Sequence, residues 1–264
     1  MRRHDIDTIR TAALVLLIIY HAACSFMPWG NSIGFITNKE SLEIYAPMGF
    51  LNIWRIPILF VVSGMAFRFA YERRTRKELL KDRFGLCAFV LPLVIEAYVF
   101  RYNIYSLYVL SLHGWILGLI CFVTGYIWIC NQTLFFTLAK NNVFIFLSIA
   151  TIMYANRLQN ELTIANTLIS IESFCWIVGI FGIAAKYLNK YSNWLVYLKE
   201  TVFPVYIFHL PLQQAVAYFL FPLPIDAIYK LLLLIVLVSL VSILFFELLK
   251  RVAFVRPLIG LKPM

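Results

Sequence analysis

Long apolar blocks alternate with short polar segments along most of this chain. A run of about 18 or more apolar residues can cross roughly 30 Å of hydrocarbon as a helix. Because lipid cannot hydrogen-bond to a backbone, a segment that crosses a membrane must be a helix or part of a closed barrel. Barrel strands alternate apolar and polar residues, whereas these blocks are continuously apolar. The pattern therefore predicts an all-α fold, a polytopic bundle of transmembrane helices.

About eight spans are predicted from these blocks. The third is short, and polar residues crowd both ends of the fifth. No internal repeat or low-complexity linker interrupts the series, so residues 1–264 are predicted to form a single transmembrane domain. The predicted spans cover residues 8–28, 49–70, 84–100, 108–130, 143–157, 165–187, 201–221 and 227–249.

The composition also favours a membrane protein over a soluble domain. Hydrophobic residues make up 62% of the chain and charged residues 14%, against about 45–50% and about 25% in typical soluble domains. The five cysteines are scattered and odd in number, which argues against a disulfide framework. No pair of them has metal-ligand spacing, so we predict no metal site.

The positive charges of the chain predict its orientation in the membrane. A net charge of +10 would suggest nucleic acid as the partner of a soluble protein. Here the loop 71–83 carries six Lys and Arg residues, whereas the loops 29–48 and 222–226 together carry only Lys39. Cytoplasmic loops are enriched in Lys and Arg. We therefore expect a multi-pass protein of the cytoplasmic (inner) membrane, with both termini cytoplasmic and the lipid bilayer, not nucleic acid, as its partner.

Two polar residues, Arg10 and His21, lie in the otherwise apolar first span. At 100° per residue, eleven residues make about three turns, so the two side chains share one face about 16 Å apart along the axis. A polar pair on one face points into a bundle rather than at lipid, and histidine can act as a base near neutral pH. The alternative is that Arg10 reaches the head groups while His21 bonds a neighbouring backbone carbonyl.

Other polar residues lie in later spans. Glu96 and Glu172 are carboxylates within predicted spans and are functional candidates by default. A carboxylate that is neutral, paired, or near a membrane interface also fits the pattern. His209 lies between Pro204 and Pro211. Prolines leave backbone groups without helical partners, and this histidine could satisfy them. The pattern therefore favours a structural role for His209 slightly over a catalytic one.

Several short motifs resemble the acyltransferase family 3 membrane proteins, which include O-acetyltransferases and succinyltransferases of bacterial surface glycans. Residues 5–21 resemble the family's Asp-x-x-Arg followed by ten residues and His. Residues 55–64 are similar to its Arg-x-Pro-x-Phe-Phe-x-x-Ser-Gly element, and residues 206–211 resemble its late Tyr-x-x-His-x-Pro segment. Arg83 resembles the basic run before the family's third helix. Glu247, followed by residues 258–262, looks like the end of its glucan-modifying branch.

The resemblance covers roughly residues 1–100 and 165–264. Between them the chain lacks the family's central His-x-Trp-Phe-Leu-like element, and it has fewer spans than the family usually has. The segment 111–126 looks like the part that normally follows that element. The chain therefore resembles a shortened member of the family.

The resemblance implies transfer of an acetyl or succinyl group from cytoplasmic acyl-CoA, the donor substrate, to a hydroxyl of an extracytoplasmic glycan. His21 would accept the hydroxyl proton or carry the acyl group, with Arg10 as its catalytic partner. Guanidinium groups match phosphate oxygens, so Arg10, Arg83 and Arg55 would hold the CoA phosphates. A transporter or flippase, or an inactive shortened family member, remains the alternative. The expected substrate-binding residues are Ser63, Glu96 and His209.

Overall fold

The computed structural model describes residues 3–72, 93–95, 98, 111–160, 165–256 and 261, and its regular elements in these ranges are all helical. The predicted all-α class is confirmed for this part of the chain. A 3-10 turn at Asn31–Ile33 follows the first helix, and a π-helical turn at Ala184–Leu188 follows the sixth. The α-helices are α1 (His4–Cys24), α2 (Leu42–Glu72), α3 (Leu112–Cys130), α4 (Gln132–Asn141), α5 (Val143–Gln159), α6 (Asn166–Ile183), α7 (Asn193–Leu220) and α8 (Ala227–Leu249).

Five helices of the described ranges are long and apolar enough to cross a membrane, or six if the bent pair α4 and α5 forms one span. The five are α1, most of α2, α3, α6 with its π turn, and α8. The axis bends by 65° between α4 and α5. The helix α7, whose middle contains His209, Gln213 and Gln214, is not among them. The predicted span 84–100 lies largely outside the described residues.

The chain divides into two compact units. Unit 1 comprises residues 1–9 and 52–190, and unit 2 comprises residues 10–51 and 191–264. The boundaries fall inside α1 and α2, so each of these helices contributes residues to both units.

Within unit 1, two glycines allow α2 and α3 to meet at their backbones. A Cβ atom on Gly64 would lie 1.9 Å from the carbonyl oxygen of Phe122, and one on Gly125 would lie 1.9 Å from that of Val61. Any side chain at either position would collide with main-chain atoms. Small residues are what allow membrane helices to approach so closely. Gly64 and Gly125 are therefore the close-packing residues of this pair of helices.

Glu172 of α6 forms a buried ion pair with Arg157, near the end of α5, also within unit 1. The two guanidinium nitrogens Nε and Nη2 donate to the two carboxylate oxygens at 2.9 and 3.1 Å. The side chains are 4% and 0% exposed, and Trp176 Nε1 donates a longer hydrogen bond of 3.4 Å to the same carboxylate. Glu172 is therefore a paired carboxylate, which is one of the alternatives that the sequence left open.

Unit 2 has an apolar core between α1, α7 and α8. Pro204 and Pro211 do not interrupt α7, and residues of this helix before and after them are buried in the core. It holds the end of α1 against the middle of α7, which brings the polar residues of these two helices together. Its buried members include Leu14, Leu17, Ile18, Ala22, Ala23, Val202, Val205, Ala217, Leu220, Leu234 and Val238.

The start of α7 and the end of α8 are joined by a polar cluster. Tyr197 Oη donates to Glu247 Oε1 at 2.7 Å, and Lys250 Nζ donates to the same oxygen at 2.7 Å. One carboxylate oxygen of Glu247 therefore accepts from both residues and connects the two helix ends.

Candidate functional site

His21 lies in the last turn of α1, where the helix tightens. The amides of Ser25 and Phe26 donate to the carbonyls of Ala22 and Ala23, three residues back, at 3.3 and 2.9 Å. In a regular α-helix the Ser25 amide would bond to the His21 carbonyl. That carbonyl instead accepts a hydrogen bond of 2.8 Å from Gln213 Nε2 of α7.

The imidazole of His21 is hydrogen-bonded to that of His209. The Nδ1 atom of His21 lies 2.8 Å from the Nε2 atom of His209. The ring planes differ by only 4°, with centroids 5.0 Å apart. Such a separation fits two coplanar rings that meet edge to edge through the short N–N contact, rather than two stacked faces. His209 is 1% exposed, and His21 is half-buried.

The partners of His209 determine which nitrogens carry protons. Its Nδ1 atom lies 2.8 Å from the carbonyl oxygen of Tyr206 and 3.1 Å from that of Val205. A carbonyl only accepts, so this nitrogen is protonated and donates. In a neutral pair, His209 Nε2 then accepts and His21 Nδ1 donates. The basic lone pair of His21 is therefore on Nε2, as in sites where an oriented partner fixes the tautomer of a histidine base.

The same contacts correct the reason given for a structural His209. A proline leaves the carbonyl four residues before it without its helical donor. The carbonyls bound by His209 are those of Val205 and Tyr206, and neither lies four residues before Pro204 or Pro211. The prediction that His209 satisfies carbonyls released by the prolines is therefore wrong, although His209 does bond to its own helix.

The loop after α1 brings an aromatic ring against His21. The ring centroids of Phe35 and His21 are 5.8 Å apart, and Phe35 is 7% exposed. Gln214 fastens this loop, since its Oε1 accepts from the Ile36 amide at 2.9 Å and its Nε2 donates to the Gly34 carbonyl at 3.0 Å. Gly34 has a φ of +90°, a conformation that glycine adopts without strain. One side of the histidine pair is therefore apolar, which strengthens electrostatic interactions there.

Arg10 lies on the same unbroken helix as His21, within unit 2, and is half-buried. The predicted continuous helix is confirmed, and eleven residues of helix place the two side chains on one face. Of the predicted site residues, the structure thus joins His21 directly to His209 and places Arg10 about three turns away along α1.

The remaining candidates belong to unit 1 or fall outside the described residues. Arg55 is buried in α2 at 1% exposure, and Ser63 is exposed and donates to the carbonyl oxygen of Leu59 at 2.8 Å. Both belong to unit 1. Arg83 and Glu96 lie outside the described residues. The assignments of these four residues to cofactor or substrate binding stay predictions.

Two adjacent glutamines of α7, Gln213 and Gln214, were not predicted as site residues. Gln213 is 0% exposed. The available signal was its position four residues after His209 in an apolar segment, since such residues share a helix face. A polar side chain in a membrane helix usually has a specific polar partner. A glutamine on the same helix face as His209 could therefore have been predicted to belong to the same site.

No protein-family model, curated protein or solved structure matches this chain. Within the described ranges, no group of three or more His, Cys, Asp or Glu side chains is placed to hold a metal ion.

The chemistry that the site offers is proton transfer or nucleophilic attack by His21 Nε2, with His209 as the orienting partner.

Proposed function

We propose that the chain is an integral membrane acyltransferase that moves an acetyl or succinyl group from cytoplasmic acyl-CoA to a hydroxyl of an extracytoplasmic glycan. The observation that carries this proposal is the hydrogen bond of 2.8 Å between His21 and His209. It orients the histidine to which the motif resemblance assigns catalysis. It also involves the histidine of the late Tyr-x-x-His-x-Pro segment, so two separate motifs of that resemblance supply one site.

The proposed topology has eight spans with both termini cytoplasmic. The helix α7 is the seventh of these spans, because its 28 residues extend about 42 Å. Its polar residues His209 and Gln213 are buried against protein and not exposed to lipid. The segment 84–100 is the third span and α5 the fifth. In this arrangement His21 lies in the outer half of the membrane and Arg10 near the cytoplasmic surface.

The chemistry proposed for His21 uses its Nε2 atom. This nitrogen takes the proton of the acceptor hydroxyl while the hydroxyl oxygen attacks the thioester carbonyl. The C–S bond then breaks, the ester remains on the glycan, and the CoA thiolate leaves as the thiol after taking that proton back from His21 Nε2, which becomes neutral again. The bond to His209 lets the second ring share the positive charge of the imidazolium. In the other route that uses this nitrogen, Nε2 carries the acyl group between donor and acceptor.

Arg10 is proposed to hold the phosphates of the donor. It is half-buried and lies about 16 Å from His21 along α1, a separation that the extended pantetheine arm of CoA bridges. Arg83, in the basic loop on the same proposed side, would add a second guanidinium group. The resemblance also assigns Arg55 to the phosphates. This topology places Arg55 in the outer half of α2, and its assignment stays a prediction.

A proton-coupled transporter is the second candidate, and the same hydrogen bond favours it. Two imidazoles in line can pass a proton from one ring to the other, and intramembrane histidines occur in the proton relays of transporters. This candidate differs from an acyltransferase in consuming no acyl-CoA.

Purified protein in liposomes, supplied with acetyl-CoA or succinyl-CoA and a glucan acceptor, tests the proposal. An acyltransferase releases one CoA thiol for each ester found on the glucan, and His21→Ala protein serves as the control. Movement of substrate or protons without thiol release would favour the transporter. Neither activity, in protein whose folding is verified, would contradict the proposal and indicate an inactive shortened relative.

A further inference from the structure

His21 is held at two points by residues one turn apart on α7. His209 binds its ring at Nδ1, and Gln213 binds its backbone carbonyl, each at 2.8 Å. Residues four apart share a helix face, so a single stretch of α7 holds both the side chain and the main chain of His21. We infer that Gln213 is a positioning residue that sets the place of the His21 imidazole by holding the end of α1.

The local structure of α1 explains why the His21 carbonyl can accept a hydrogen bond from Gln213. The tightened last turn leaves the His21 carbonyl outside the helical ladder. Ala22 and Ala23 of the same turn are buried in the core shared with α7. The Gln213 bond adds a directional polar contact at the His21 carbonyl, so the backbone and the ring of His21 are each bonded to a residue of α7.

The carboxamide of Gln213 has only one orientation that fits. A carbonyl accepts and cannot donate, so the amide nitrogen and not the oxygen faces His21. The second contact of this nitrogen, to Ser25 Oγ, is longer at 3.4 Å. Gln213 is 0% exposed, which protects its short bond from competition by water. The effect of Gln213 therefore acts mainly through His21, and Ser25 provides a control.

This inference rests on the proposed function only where it concerns acyl transfer. Its primary test is therefore a ¹⁵N NMR spectrum of the histidine rings, which requires no acyl transfer. The chain contains four histidines, and ¹⁵N labelling of histidine gives few ring signals, each assigned by replacing one histidine. Nitrogen shifts report which ring atom is protonated. In wild-type protein, His21 and His209 should both be protonated at Nδ1 and unprotonated at Nε2.

In Gln213→Met, which keeps the bulk but lacks the donor, His21 should lose its preference for the Nδ1 proton because its bond to His209 is weakened. Ser25→Ala should leave the spectrum unchanged. Where acyl transfer is measurable, kcat of Gln213→Met should fall roughly tenfold to a hundredfold, as misplaced catalytic groups do, while KM for acyl-CoA changes little. Gln213→Asn, whose amide is one methylene too short to reach, gives a second variant if Gln213→Met does not fold.

A folded Gln213 variant with the wild-type His21 spectrum overturns the inference, and so does a wild-type His21 that is not protonated at Nδ1. A changed His21 spectrum in a protein that transfers no acyl group supports the positioning role and contradicts the proposed function. The two failures are therefore distinguishable.

Discussion

The Nδ1 atom of His21 lies 2.8 Å from the Nε2 atom of His209, and the two ring planes are within 4° of parallel. This contact joins residues that are 188 positions apart in the chain. It makes the two histidines a single unit in which one ring orients the other. The structural role predicted for His209 and the catalytic role predicted for His21 are therefore linked, because whatever displaces His209 also affects the protonation of His21.

Arg10→Ala is expected to weaken acyl-CoA binding by about tenfold or more, the usual scale for a lost charge-assisted hydrogen bond. Arg10→Lys should restore binding only in part, since lysine keeps the charge but loses the planar fork. Lys39→Ala is the matched control, because Lys39 is exposed in a loop predicted to lie on the other side of the membrane. Calorimetric titration of purified protein measures the affinities. Equal affinities for wild type and Arg10→Ala would remove Arg10 from the donor site.

Residues 31 and 192 are expected to lie on opposite sides of the membrane. The single substitutions Asn31→Cys and Ser192→Cys, each made in a protein without other cysteines, test this. Both positions are exposed, and the predicted topology places residue 31 outside and residue 192 in the cytoplasm. A membrane-impermeant thiol reagent applied to intact cells should therefore label Asn31→Cys and leave Ser192→Cys unlabelled until the cells are opened. Labelling of both before opening would contradict the topology.

Gly125→Ala is expected to destabilise unit 1 by about 1–3 kcal/mol, the usual range for overpacking, because its Cβ would lie 1.9 Å from the Val61 carbonyl oxygen. Gly118→Ala on the same helix is the control. Its Cβ would meet only the far end of the Phe60 ring, at 3.0 Å, and that half-exposed ring can rotate away. Thermal unfolding in detergent should show a clearly lower midpoint for Gly125→Ala alone. Similar midpoints for the two variants would argue against backbone contact between α2 and α3.

Removing one partner of the ion pair between Arg157 and Glu172 is expected to cost about 3–5 kcal/mol, because the other charge stays buried without compensation. The single variants Arg157→Met and Glu172→Leu should therefore be much less stable than wild type. The double variant should recover most of the loss, since apolar pairs replace buried ion pairs well. Denaturation of all four proteins gives the coupling energy. Additive losses in the double variant would show that the two side chains act independently.

The sequence predicts local features of the fold well because they depend on local periodicity. The shared face of Arg10 and His21 follows from helical geometry alone. The predicted span 201–221 begins directly after Lys199 and Glu200, whereas the helix α7 continues through this charged pair from Asn193. A charged pair limits the apolar segment but not the helix.

The candidate site was predictable only in part. The motifs identify both histidines, but their contact depends on how α1 packs against α7, which no local pattern specifies. The role of Gln213 depends in addition on the tightened last turn of α1, which exposes the His21 carbonyl. The sequence of that turn, Ala22-Ala23-Cys24-Ser25, carries no proline or glycine that would have indicated it.

The most direct measurement is the rate of acyl transfer by folded His21→Ala protein compared with wild type, followed as CoA thiol released and ester formed on the acceptor. His21 supplies the basic Nε2 atom, so its loss should lower the rate by at least about a hundredfold, the usual scale for a lost acid–base group. Expression and membrane insertion should stay near normal, since His21 is half-buried and its backbone carbonyl remains available to Gln213. A folded His21→Ala variant that transfers acyl groups at close to the wild-type rate would contradict the assignment of His21 as the catalytic residue.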